Sequence, residues 1–185
     1  MEKEFPVVYL ARHGETAWSL SGQHTGLTNL PLTKLGEQTA RKLGERLKGI
    51  TFATVFTSPL TRAYRTCELA GFGAVAQIDP DLVEWDYGEY EGLRGAEIRA
   101  KRPEWNLFRD GCPGGETPEQ VKIRADRVVN RVRTIDGNVL LFTSGHFMLS
   151  TASLSALGYE NDLSRPVIRF WNDTRHVESE SALAA

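Results

Sequence analysis

The 185-residue sequence is poor in cysteine, with only Cys67 and Cys112. Two thiols cannot staple a disulfide-rich scaffold or complete a four-cysteine zinc site. An excess of either charge is also lacking. Lys and Arg number 22 against 24 Asp and Glu, a net charge of −2. No global basic field therefore exists to hold nucleic acid or an anionic membrane. No apolar run nears the ~18 residues of a membrane helix. The stretch Val7 to Ala11, behind the charged Met1-Glu2-Lys3-Glu4, is too short for a secretory leader. The expectation is a cytoplasmic protein, in which the glycosylation-like Asn172-Asp173-Thr174 is a chance match. Repeats, low-complexity tracts and flexible linkers are absent.

What is present suits one folded domain, 1–185, at roughly 150 residues per domain. Hydrophobic residues make up 41% and charged residues 25%, enough to bury a core and stay soluble. Residues 79–116, rich in Gly, Trp and acids, are the least regular part, and Glu178 to Ala185 reads as a frayed tail.

The patterning alternates strands with helices. Val7 to Ala11 is a short continuous apolar run, the mark of a buried parallel strand. Thr33 can cap a helix carrying Leu35, Ala40, Leu43 and Leu47 on one stripe. Thr54 to Thr57 reads as a second strand. Ser58-Pro59 then opens a helix with Leu60, Ala63, Cys67 and Ala70 inward. Val75 to Ile78 is a weak strand. Thr117-Pro118-Glu119-Gln120 is a capping box, and its helix spaces Val121, Ala125, Val128, Val132 and Ile135 by four, three, four and three. Val139 to Thr143 is another buried strand, and runs near Leu154 and Val167 could add more. The fold class is α/β: a three-layer sandwich whose mostly parallel sheet has helices on both faces.

Ligands of such sheets bind beyond the carboxyl ends of the strands. There the sequence places Arg12, His13 and Gly14 after the first strand, Ser58 and Arg62 after the second, and Gly145-His146 after the strand at 139–143. Each piece alone is weak, since a histidine after a strand is most often structural. Three such junctions side by side favour phosphoryl chemistry. Two guanidiniums grip phosphate oxygens bidentately. A neutral imidazole can attack phosphorus and form a covalent intermediate, and Gly14 lets the backbone come close to the phosphate.

Leu10-Ala11-Arg12-His13-Gly14-Glu15-Thr16 with Trp18 resembles the Arg-His-Gly signature of the histidine phosphatase superfamily, the phosphoglycerate mutase-like proteins. Thr57-Ser58-Pro59-Leu60-x-Arg62-Ala63, Glu84 to Gly92, and Ser144-Gly145-His146 resemble its further motifs, in the family's order. Gly22-Gln23-His24-Thr25-Gly26 and Arg109-Asp110-Gly111-Cys112 resemble a branch containing sugar-bisphosphate phosphatases. The resemblance implies His13 as nucleophile, Arg12, Arg62 and His146 as binders of the phosphoryl oxygens, and Glu84 as proton donor to the leaving alcohol. Glu84 lies between Val83 and Trp85, and an apolar pocket would raise its pKa. Asp81, Asp86, Glu89 and Glu91 are rivals that spacing alone does not exclude. Thr25, Gly26 and Tyr87 match substrate-contacting positions, as does Ser19, where many relatives have Asn. Their alternative reading is loop structure and a buried ring.

The sequence departs from the family at Ser144, where similar proteins often have His, and after His146. Relatives have a helix and loop there, roughly 15–20 residues by ordinary element lengths. Here Met148 leads almost directly to Thr151. Losing that helix would bare apolar surface and loosen His146. Either the segment is deleted or the sequence as read lacks residues the protein has. The second is the expectation, and an intact mass clearly above 20.6 kDa would decide for it.

The expected function is hydrolysis of a small sugar phosphate or bisphosphate without a cofactor. The short chain has little material to close the site over substrate, and an open site admits water to the phosphohistidine. Two alternatives are a phosphoglycerate mutase, stimulated by bisphosphoglycerate, and a phosphate-binding relative without turnover. Metal is not expected, because His and Cys lack paired ligand spacing. Nucleic acid is not expected either, because Arg124, Arg127, Arg131 and Arg133 read as a solvated helix face. The expected partner is a phosphorylated metabolite, a second phosphate falling to Arg94, Arg102 or Arg109, and the protein a monomer or homodimer.

Overall fold

In a computed structural model, residues 5–145, 150–159 and 164–177 are described. They form strands β1 (Val8–Arg12), β2 (Thr54–Thr57), β3 (Ala76–Ile78), β4 (Val139–Thr143), β5 (Leu154–Tyr159) and β6 (Pro166–Asp173). The helices are α1 (Ala17–Ser21), α2 (Lys34–Leu47), α3 (Thr61–Leu69), α4 (Gly95–Lys101), α5 (Leu107–Asp110) and α6 (Pro118–Val132). One sheet runs in the order β3-β2-β4-β1-β5-β6. Neighbours from β3 to β1 pair in parallel, β5 runs antiparallel to β1, and β6 antiparallel to β5.

Alternate residues of the central strands face two helical layers. Ala11, Val55, Leu140 and Phe142 pack on one face with Leu43 and Leu47 of α2 and Cys67 of α3. Val8, Leu10, Phe56 and Leu141 meet Val128 and Val132 of α6 on the other. This is the expected three-layer α/β sandwich.

The capping signals act as read. Thr33 Oγ1 accepts from Gly36 N at 3.0 Å, and Thr117 and Gln120 form a reciprocal box. Two details differ. Leu35 is exposed, because the buried stripe of α2 is Gly36, Ala40, Leu43 and Leu47. The helix expected at Ser58-Pro59 starts later, with Leu60 as its N-cap, because the Ser58 hydroxyl instead accepts from Leu60 N in a turn. The irregular stretch holds α4, α5 and two 3₁₀ turns, Pro80–Leu82 and Gly88–Tyr90. His146 and the tail from Glu178 lie outside the described residues.

Among the described residues between β4 and β5, 144–145 and 150–153, there is no helix. Residues 152 and 153, just before β5, pair with the end of β1, Ala152 N donating to His13 O and Ser153 O accepting from Arg12 N. Both flanking strands keep register, with Arg12 paired to Thr143 on one side and Ala11 to Leu154 on the other. Cross-strand partners share a face, and through Val8–Leu157–Ile168 the face of α6 extends to an exposed Ile168 on β6.

Candidate active site

The carboxyl ends of β1 and β4 meet at a cleft of about 220 Å³, lined among the described residues by Arg12, His13, Ser19, Gly22, Gln23, His24, Thr25, Glu84, Tyr87 and Gly145 but not by Ser58 or Arg62 after β2. Backbone pairing holds His13 from both sides. Its N–H donates to Thr143 O and its carbonyl accepts from Ala152 N, each at 3.0 Å. Its Nδ1 lies 2.7 Å from Gly14 O. A carbonyl only accepts, so Nδ1 carries the proton and Nε2 presents a lone pair. The ring is buried, and burial, then Arg62, then Arg12, push its pKa down to about 3. His13 is therefore a neutral, oriented nucleophile at any ordinary pH.

This depression has a measurable consequence. The unfolded chain takes up the proton near 6.5, the folded one only near 3. Between those values the unfolded state binds more protons, so acid destabilises the fold. We expect unfolding free energy to fall below pH 6.5 by up to about 1.4 kcal/mol per pH unit. Denaturant titrations across pH, with NMR of the ring, check this. The ring resonance should show no midpoint between pH 5 and 8.

Gly14 has a different role from the one read in the sequence. A Cβ there would lie 2.4 Å from Gly36 O, so the glycine lets β1's end meet the first turn of α2. Its N–H donates to Thr66 Oγ1, whose hydroxyl donates to Arg62 O at 2.7 Å.

Arg62 is fully buried in the first turn of α3. Its Nη1 donates to Thr28 O at 3.0 Å, and its Nη2 to Thr25 O and Gly26 O at 3.1 and 2.7 Å. Its Nε has no acceptor among the described residues. Glu91 secures that loop from the other side, accepting from Gly26 N at 2.8 Å and Thr28 N at 3.2 Å. Arg12 lines the cleft with its guanidinium against Gly145, where a Cβ would sit 2.5 Å from Arg12 Cζ. Gly145→Ala is accordingly expected to displace Arg12 and lower kcat/KM about 10–100-fold. Wild-type unfolding behaviour alongside the kinetics would confirm a local cause.

The structure separates the rival carboxylates. Asp81 pairs with Arg127 and Arg131. Asp86 Oδ1 accepts from Gly88 N, and Glu91 holds the loop just described. Neither these nor Glu89 lines the cleft; Glu84 does. Its surroundings are not the apolar pocket expected. Oε1 accepts from Trp85 N at 2.9 Å and Oε2 from Gly145 N at 2.8 Å.

The remaining positions divide. Thr25 lines the cleft, its hydroxyl 3.2 Å from Gln23 O. Tyr87 lines it as a buried ring whose hydroxyl pKa is pushed well up, by burial first and then by Glu84. Ser19 lines it too, but its Oγ is engaged with Thr16 N and O in the cap of α1. Gly26 does not line it. A Cβ there would meet Trp85 O at 2.4 Å, so it is a close-approach glycine. His24, not singled out in the sequence, does line the cleft. Its Nδ1 lies 2.8 Å from Leu93 O and its ring edge on Tyr87, at 4.6 Å between centroids. Its place beside Thr25 was the available signal. The arginines considered for a second phosphate lie elsewhere. Arg109 is tied to Asp110 and to Glu104 O, Arg102 donates to Tyr90 OH, and Arg94 does not line the cleft.

Comparison with known proteins agrees with this geometry. The chain is 35% identical to sedoheptulose 1,7-bisphosphatase of Saccharomyces cerevisiae, over 80% of this chain and 67% of that one. It is 42% identical to an acid phosphatase of Mycobacterium tuberculosis, over 75% and 70%. Phosphoglycerate mutases are also among its relatives. A solved structure of a Mycobacterium tuberculosis open reading frame product superposes with a TM-score of 0.83 at 33% identity, covering 90% of this chain and 97% of that one. The description of the Histidine phosphatase superfamily (branch 1) matches residues 8–174, and the chain belongs to that family.

Proposed function

We propose that this protein hydrolyses a small phosphate monoester of a polyhydroxylated, sugar-like alcohol through a phosphohistidine at His13. The observation that carries the reading is the buried, neutral His13, its Nδ1 proton held by Gly14 O, in the field of Arg62 and Arg12 and lining one cleft with Glu84. The His13 Nε2 lone pair attacks phosphorus as the bond to the alcohol oxygen breaks. Glu84 gives its proton to that oxygen. Nδ1 keeps its own proton, so the phosphohistidine ring is cationic and a good leaving group. Water then attacks phosphorus, its proton passes to Glu84, and phosphate departs from a neutral His13. Arg12 carries the charge of the phosphoryl oxygens, and the unused Arg62 Nε–H is a further donor beside them.

The cleft favours a monophosphate. Arg12 is the only Lys or Arg among its described lining residues, and the rest of the wall, Ser19, Gln23, His24, Thr25 and Tyr87, suits hydroxyl groups. Access of water to a phosphohistidine in this cleft favours hydrolysis over return of the phosphoryl group to a second hydroxyl. Phosphate release across sugar monophosphates, sugar bisphosphates and phosphoglycerates tests the proposal. Release from a sugar monophosphate supports it, a preference for bisphosphates overturns the substrate class, and isomerisation of phosphoglycerate without release overturns hydrolysis.

A further inference from the structure

Helix α6 faces the 81–86 segment, and one of its side chains has every donor committed to that segment or to Glu116, which grips it. Arg124 has five N–H groups in a fixed fork. Nη1 donates to Asp81 O and Val83 O, both at 2.8 Å, and Nη2 to Glu84 O at 3.4 Å. Nε and Nη2 donate to the two carboxylate oxygens of Glu116 at 3.0 and 2.8 Å. Glu116 grips the same segment from its other end. Its Oε2 accepts from Asp86 N, its carbonyl from Trp85 Nε1, and its N–H donates to Asp86 O, each at 2.9 Å. The arginine is not the solvated charge that the helical pattern implies, for its side chain is 13% exposed. Arg127 and Arg131 extend the clamp through Asp81 and Asp79.

Only the segment between these grips carries the acid. The Glu84 side chain crosses to Gly145 on the β4 side of the cleft. A shift of the segment's backbone therefore moves the carboxyl relative to the alcohol oxygen it must protonate. We infer that Arg124, with Glu116, is a positioning residue for Glu84, setting the geometry of proton transfer to the leaving group. The inference rests on the proposed phosphohistidine hydrolysis and assigns Arg124 no contact with substrate.

The test uses leaving groups of different need. A sugar phosphate needs its alcohol protonated as it leaves, whereas 4-nitrophenyl phosphate releases a stable anion. In both, kcat/KM reads the steps up to release of the alcohol, so the later water step does not enter. Arg124→Lys keeps charge but cannot reproduce five donors. It is expected to lower kcat/KM on the sugar phosphate about 10–100-fold, and on 4-nitrophenyl phosphate about threefold or less. In a Glu84→Gln background the Arg124→Lys loss on the sugar phosphate should vanish, because the acid it serves is gone. Glu116→Gln, which loosens the clamp from the other end, should give the same pattern and serves if Arg124→Lys does not fold. Equal losses on both substrates, no loss on either, or losses that multiply in the double variant overturn the inference. A wild type that hydrolyses neither substrate overturns the proposed hydrolysis itself, and this inference with it.

Discussion

His13→Asn is expected to lose about 10⁴-fold or more of phosphate release while still folding. Asparagine suits the test because its side-chain amide sits near the position of Nδ1. It can keep the donation to Gly14 O that orients the native ring. What it lacks is a lone pair where Nε2 stood. Arg12, Arg62 and Glu84 remain, so loss of turnover isolates the nucleophile rather than the site. Phosphate should still bind, since Arg12, with the Arg62 Nε–H, supplies that grip. Wild-type protein quenched during turnover should carry acid-labile, base-stable phosphate, and His13→Asn none. Substantial turnover in the variant would mean that water attacks phosphorus directly and that His13 is a binding group. The variant also checks the pH argument. Removing a group that titrates near 3 when folded and near 6.5 when unfolded should flatten the loss of stability in acid.

Much of this site could be read from the sequence because its main parts sit where periodicity changes. β1 and β4 are mostly apolar runs and β2 a short β-branched and aromatic one, and each leads directly into a polar residue of the motifs: Arg12, Ser58 and Ser144. What stayed hidden depends on contacts far apart in the chain. Gly14 and Gly36 are 22 positions apart, yet the backbone of Gly36 occupies the space a side chain on Gly14 would need, and the backbone of Glu15 the space one on Gly36 would need. Glu91 and Arg62 meet only through the carbonyls and N–H groups of residues 25–28. Spacing therefore left Glu91 a rival to Glu84. Arg124 lies on a helix whose apolar spacing correctly predicts the packed face. That spacing does not reveal that the adjoining surface is covered by the 81–86 segment. The antiparallel direction of β5 was equally hidden, because a short apolar run has no polarity of its own. Its pairing with β1 shows it.

Glu84→Gln is expected to lower kcat/KM for a sugar phosphate about 10²–10⁴-fold, with a much smaller loss on 4-nitrophenyl phosphate. Glutamine is nearly isosteric, and its amide oxygen can still accept one of the two N–H donors, Trp85 N or Gly145 N. The amide N cannot accept the other, so part of any loss could reflect displacement of Gly145 and, through it, Arg12. The two causes differ in what they spare. Proton donation matters in proportion to the basicity of the departing oxygen, so losing it penalises the alkyl ester and not the aryl one. A displaced Arg12 weakens the hold on phosphoryl oxygens common to both substrates, and both would fall together. Glu84→Asp separates them again. It keeps the carboxyl but draws it back by one methylene, so a general acid should be impaired in kcat with KM little changed. Equal losses for both esters in Glu84→Gln would assign Glu84 to the architecture of the cleft. The proton would then have to come from another group lining it, such as His24, which sits beside Thr25 and against Tyr87.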